Sequence, residues 1–148
     1  MRLLRIAVTG ALAIGFAMGC GDSSGPQENV TIADLVGTWN ATSIVYTNTA
    51  TDQSINAYLL GARLQITVAA DGSYTGSLTE PFGTPEDISG TVIIQGNSIT
   101  ITDDAAPGDN AVGTFTLSGN TLTITAQDEF DFGAGAVPAT LVLVMQRS

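Results

Sequence analysis

The chain has 148 residues, four basic and 14 acidic, for a formal charge of -10, with no His and one Cys. The length suits one domain built on one core. All four basic residues are Arg, so His- or Lys-based catalytic dyads, Schiff bases, P-loops and Cys/His zinc sites are excluded. The acidic balance repels phosphate backbones, which removes nucleic acid as a partner. A lone cysteine makes no internal disulfide.

At the N-terminus, Arg2 and Arg5 precede an apolar run, Ile6–Met18, that is too short to span a bilayer and has the form of an export signal. Small residues close it as Ala17-Met18-Gly19-Cys20, which places the only cysteine at the cleavage point. This segment resembles the lipobox of bacterial lipoproteins. The resemblance implies that residues 1–19 are removed and that Cys20 is lipidated, with a membrane as partner. It also implies a cell-envelope location, the outer membrane being favoured by Gly21 where a retention signal would place Asp. Each buried methylene of such an anchor contributes about 0.8 kcal/mol. Residues 20–29 continue as a Gly/Ser/Pro tether without apolar pattern. The domain is then 30–148, and the processed chain keeps two Arg against 14 acids, a formal -12.

Within the domain, a short helical turn is expected over Ile32–Leu35, opened by Thr31 or Asp34, and another near Ser54–Leu60. Everything else alternates with period two. Leu64, Ile66 and Val68 alternate with Arg63, Gln65 and Thr67; Leu122, Ile124 and Ala126 alternate with three threonines. Threonine is β-branched and polar, which suits the wet face of a sheet. Eight strands follow: Gly37–Tyr46, Ala62–Ala69, Ser73–Thr79, Ile88–Gln95, Ser98–Asp103, Ala111–Ser118, Thr121–Asp128 and Val137–Arg147. The segment 90–104 (GTVIIQGNSITITDD) echoes 113–127 (GTFTLSGNTLTITAQ), each a strand, a Gly-Asn turn and a strand.

Three connections are tight: Asp71-Gly72, Gly96-Asn97 and Gly119-Asn120. The others, Thr47–Gly61, Glu80–Asp87, Asp104–Asn110 and Glu129–Ala136, are longer. Alternate loops of an antiparallel meander lie at opposite ends, so the expected shape is a cup with a narrow base and a wide rim. Ten of the 14 acids fall in or beside the long loops. They either solubilise the rim or give it a field that attracts cations.

Leu35-Val36-Gly37-Thr38-Trp39 heads the first strand, and Arg147 ends the last with the inward parity of Met145. With eight strands, this Gly-x-Trp element resembles bacterial lipocalin-like lipoproteins. The fold so implied is all-β: an eight-stranded antiparallel up-and-down barrel, with a short N-terminal 3₁₀ or helical turn. The resemblance makes Trp39 and Arg147 a base plug, joined by a cation–π contact of about 0.5–2 kcal/mol. It also implies a small apolar or amphipathic ligand in the barrel, without a cofactor.

Inward parity makes Leu64, Ile66, Tyr74, Leu78, Ile101, Phe115, Ile124 and Leu143 candidates for lining such a ligand, with Ala41, Ser43 and Gly76 as small inward residues. The same residues would equally fill a solid core. In that alternative the protein is a structural or interaction lipoprotein of the envelope without a ligand. Paired acids offer little for catalysis, since Asp103-Asp104 and Glu86-Asp87 either point to opposite strand faces or lie in loops, so no enzyme is expected. Asp103, Asp104, Asp109, Asp128 and Asp131 are hard oxygen ligands at the rim and weak candidates for calcium, though none has the spacing of an EF-hand.

Overall fold

The computed structural model describes residues 30–108 and 110–148. The signal segment, Cys20, the tether and Asp109 lie outside the described residues. The elements are α1 (Ile32–Leu35), β1 (Gly37–Asn48), β2 (Ser54–Asn56), a 3₁₀ turn (Ala57–Leu60), β3 (Arg63–Val68), β4 (Ser73–Thr79), β5 (Pro85–Gln95), β6 (Ser98–Asp103), β7 (Asn110–Ser118), β8 (Thr121–Asp131) and β9 (Ala136–Arg147). β1 and β3 to β9 pair in sequence order, each antiparallel to the next, and β9 returns to β1. The result is a closed eight-stranded antiparallel barrel, with β2 as a three-rung flap on the upper edge of β1.

The period-two pattern explains the wall. Inward positions carry the buried core of Trp39, Ile66, Val68, Tyr74, Val92, Ile99, Phe115, Leu122, Ile124, Leu143 and Met145. Outward positions carry threonines, some of which bond across strands, as Thr38 to Thr67 at 2.9 Å between hydroxyls. The repeated hairpin also repeats a corner. A Cβ on Gly90 would sit 1.8 Å from the carbonyl oxygen of Thr102, and one on Gly113 would sit 2.5 Å from that of Thr125. At both inward positions the neighbouring backbone comes closer than any side chain allows, which lets the wall coil tightly.

The three tight turns gather at one end and are stitched into a ring. Val92 N–H donates to the Gly72 carbonyl at 2.8 Å, Phe115 N–H to Asn97 at 2.9 Å, and Arg147 N–H to Asn120 at 2.9 Å. Each turn is thereby fixed by the next hairpin along, which satisfies carbonyls the ladders leave free.

The structure departs from the sequence pattern in three places. Of the helical turn expected near Ser54–Leu60, Ser54–Asn56 instead pairs with Val45–Thr47 as β2, and Ala57–Leu60 alone is helical. The β1–β9 register shifts between Ala41 and Ser43, a β-bulge. The extra residue reverses the parity of everything after it. Ile44 and Tyr46 are therefore the buried residues of upper β1, whereas Ser43 is not among the buried residues. The rim strands are also longer than expected. Glu86 and Asp87 pair with Leu78 and Ser77, and β8 and β9 stay in register up to Asp131↔Ala136. Asp87 lies on the outer face and Glu86, partner of the inward Leu78, lies exposed at the open rim; both stay hydrated, so charge does not end a strand there. The connections shorten to match, to 80–84 and 132–135.

Candidate functional site

The base is sealed by one assembly. Thr31 caps α1, and the Asp34 carboxylate accepts from the Thr31 N–H at 2.8 Å and from its hydroxyl at 2.9 Å. Those bonds hold the Asp34 carboxyl below the usual carboxylate range, with a smaller contribution from Arg147. α1 delivers Leu35, which is buried, and its carbonyl accepts from Trp39 Nε1 at 2.8 Å. Trp39 and Arg147 are register partners of β1 and β9. The guanidinium carbon lies 4.6 Å from the Trp39 ring centroid, and Nη2 donates to the Asp34 carbonyl. The indole N–H and the Leu35 carbonyl thus meet out of reach of water, while the Asp34 carbonyl is partnered by Arg147 at the surface.

The upper half differs. Leu64, Leu78, Ile88, Ile101 and Leu141 face the barrel axis yet are only half-buried, whereas the inward residues of the lower half are mostly buried. Their partial exposure marks the upper half as the less completely buried end of the barrel. Of the eight sequence-derived lining candidates, Leu64, Leu78 and Ile101 belong to this collar. Ile66, Tyr74, Phe115, Ile124 and Leu143 lie in the solid layer beneath.

Aromatic and acidic side chains crown the collar. Tyr46, 9% exposed, stacks on Phe130 at 4.3 Å between centroids, and Phe132 meets Phe130 edge-on at 5.2 Å. Burial raises the Tyr46 phenol well above its ordinary value, reinforced by the charge and hydrogen-bonding contact of Asp128 and the charge of Glu80. Burial likewise raises the Asp128 carboxyl, opposed by the Glu129 N–H it accepts at 2.8 Å. In the layer beneath, burial and the charges of Asp103 and Asp104 push Tyr74 up to about 12, and its hydroxyl donates to the Thr102 carbonyl at 3.1 Å. An uncommon conformation also marks the rim: Phe82, 92% exposed, has φ +63°, a region costly for a bulky side chain.

The rim acids are occupied by their own loops. Asp131 accepts from Gly133 and Gly135 N–H at 2.7 and 2.9 Å, which lowers its pKa. Asp103 accepts from Ala105 N–H, and Asp104 from the Ser89 hydroxyl, both at 2.8 Å. Among the described residues, no three acidic side chains gather as a metal cage requires.

Sequence reasoning missed Tyr46, Phe130 and Phe132 as mouth residues. A signal for Tyr46 existed: Thr42-Ser43 breaks the alternation between Ala41 and Ile44, where the bulge falls.

A family model described as the lipocalin-like domain matches residues 35–134. The chain belongs to the lipocalin-like domain family. This lipocalin-like chain is similar to a lipocalin-like protein from Bacteroides uniformis at 14% identity, covering 78% of this chain and 99% of that one with TM-score 0.48. An uncharacterised protein from Bacteroides eggerthii is similar at 12% identity, with 76% and 98% covered and TM-score 0.45. The siderocalin Ex-FABP, described as functioning through dual ligand specificities, is similar at 11% identity, with 77% and 74% covered and TM-score 0.43. No curated protein matches the chain in sequence.

Proposed function

We propose that this lipocalin-like protein is an envelope lipoprotein, anchored through Cys20, that holds a small amphipathic molecule in the barrel mouth. One observation carries the ligand reading: an apolar collar of Leu64, Leu78, Ile88, Ile101 and Leu141 faces the axis and stays half-exposed above a sealed base. Such a wall, ringed by a few polar groups, is the usual make-up of a small-molecule site. The anchor rests on Ala17-Met18-Gly19-Cys20 after a basic and apolar leader.

The polar crown also selects the head group. Arg147 is spent on the base plug, and Arg63 lies on the outer face next to Gln65, so the described wall turns no cation inward. Tyr46, Asp128 and Glu80 face the head instead. Neutral and cationic heads are therefore favoured over carboxylates, which would meet like charge at low dielectric. Thermal shift with dodecylamine, dodecanol and laurate separates these classes. The amine and the alcohol are expected to raise the melting temperature more than laurate, and a melting temperature indifferent to all three overturns the ligand reading. Cys20→Ser is expected to move the protein from the membrane to the soluble fraction; unchanged fractionation removes the anchor.

A further inference from the structure

The wall has a second concavity, lined by outward polar residues and reaching inward to Ala41 and Leu64. β1 stays in register with β3 only over Gly37–Asn40, then pairs with β2 at Val45–Thr47. Between those stretches the ladder on that edge of β1 lapses, and a cleft of about 350 Å³ opens beside Ala41 and Leu64. Asn40, Gln65 and Ser77 form one cross-strand row along it, and Arg63 with Thr79 forms the next. Tyr58, from the 3₁₀ turn, completes the lining.

These groups are set in place mainly by bonds to one another. Gln65 Nε2 donates to Asn40 Oδ1 at 2.7 Å, and Asn40 Nδ2 donates to the Ser148 hydroxyl. The Arg63 guanidinium carbon lies 4.1 Å from the Tyr58 ring centroid, while Nη1 donates to the carbonyls of Tyr58 and Ala62 at 2.7 and 2.6 Å. That leaves Arg63 a flat, immobilised cation with donors to spare. Although the chain has 14 acids, no carboxylate of the described residues lines this cleft.

We propose that the cleft is a second binding site, opening on the outer side of the wall and sharing only Leu64 with the mouth collar, and that it takes a saccharide unit. Two carboxamides and two hydroxyls both donate and accept, which matches vicinal hydroxyls that do the same. The absence of a carboxylate removes the reason for a metal or amine to settle there. The acidic field of the whole chain works against a free anion. The apolar part of the lining is mainly Ala41 and Leu64, too little to hold a hydrocarbon chain. The volume stands at the small end of the roughly 300–1,000 Å³ typical of ligand pockets, room for a single sugar ring.

The test is ¹⁵N NMR titration of the folded domain with glucose, N-acetylglucosamine, glucuronate and inorganic phosphate. Expected are saturable shifts at the side-chain amides of Asn40 and Gln65 and along 63–65 and 77–79, for at least one sugar. Gln65→Ala and Ser77→Ala each weaken that binding about five- to tenfold. Both lie on the outer wall, so unchanged dispersion elsewhere confirms that the variants fold. Asp128→Asn, in the mouth, leaves the sugar shifts unchanged, which keeps this site's fate apart from that of the mouth. The proposal is overturned by no saturable shift with any sugar, by shifts with phosphate alone, or by sugar binding indifferent to Gln65→Ala and Ser77→Ala.

Discussion

At the base of the barrel Trp39 and Met145 are wholly buried and Leu122 is 2% exposed, while at the mouth Leu78, Ile88 and Ile101 face the same axis and stay half-buried. The same strands supply both ends, so the difference lies in what each end adds to them. The base adds a helical turn, an indole and a guanidinium: the indole N–H is spent on the Leu35 carbonyl and Nη2 of Arg147 on the Asp34 carbonyl, while Arg147 Nε is buried without a partner among the described residues. The mouth adds carboxylates and aromatic rings and no plug. A closed end needs large side chains with most of their polar atoms satisfied; an open end can keep its polar atoms for something else. Stability should therefore concentrate at the base.

The largest break in that comparison is Trp39→Ala. It removes the biggest buried side chain, the hydrogen bond to the Leu35 carbonyl and the surface under Arg147. The expected cost is about 3–5 kcal/mol in urea unfolding, enough to leave much of the protein unfolded. Trp39→Phe, which keeps most of the volume, should recover a good part of it. A loss below about 1 kcal/mol for the alanine variant would mean that the base does not hold the barrel shut.

A matched pair sharpens the contrast. Leu122→Ala, in the buried layer, is expected to cost about 2–5 kcal/mol, because it leaves a cavity that its neighbours cannot fill. Leu78→Ala faces the same axis from the collar and should cost about 1 kcal/mol, since water already reaches part of that side chain. Equal losses at the two leucines would show that the mouth is packed as densely as the base. A smaller effect is expected at Arg147→Ala, about 1–3 kcal/mol from the lost cation–π contact and the charged hydrogen bond to the Asp34 carbonyl. Arg147→Lys keeps a cation near the ring and should fall between Arg147→Ala and the parent; a lysine variant as weak as alanine would assign the effect to the planar guanidinium.

The two ends were also unequally legible. The hairpin order, the inward parity of β3 to β9 and the 23-residue echo follow from alternation and Gly-Asn turns, both local signals. The strand bearing Trp39 and the strand bearing Arg147 meet because a meander of eight strands ends where it began. The mouth departs from local signals three times. The bulge at Thr42–Ser43 turns Tyr46 inward, Glu86 and Asp87 run as strand, and β8 continues past Asp128 to Asp131. In each case a cross-strand bond overrides what polarity suggests, and register is invisible in one strand alone. The outer cleft was hidden for the same reason: Asn40, Gln65 and Ser77 share a row only through the register of β1, β3 and β4.

The smallest effect separates the buried mouth carboxyl from the exposed acids by pH. Asp128 is raised above its ordinary value of 3.8, first by burial, whereas the exposed Asp34, Asp71 and Asp131 are lowered by hydrogen bonds. A carboxyl raised in the folded state binds its proton there more readily than in the unfolded chain, so stability falls as pH rises from 3.8 through the raised value and is level above it. Asp128→Asn removes that penalty and retains a group able to bond to the Tyr46 phenol. Its melting temperature should exceed that of the parent at pH 7, and the gap should close as pH falls toward 3.8. The three lowered acids act oppositely: the stability they add is present above 3.8 and is lost as pH falls below it. Their asparagine variants should therefore melt lower than the parent at pH 7 and approach it in acid. Melting curves of all four variants at pH 7 and in acid decide the matter. A mouth carboxyl that stabilises at pH 7 would mean that Asp128 is better paired than its burial implies, and the preference of the mouth for neutral and cationic head groups would lose its physical basis.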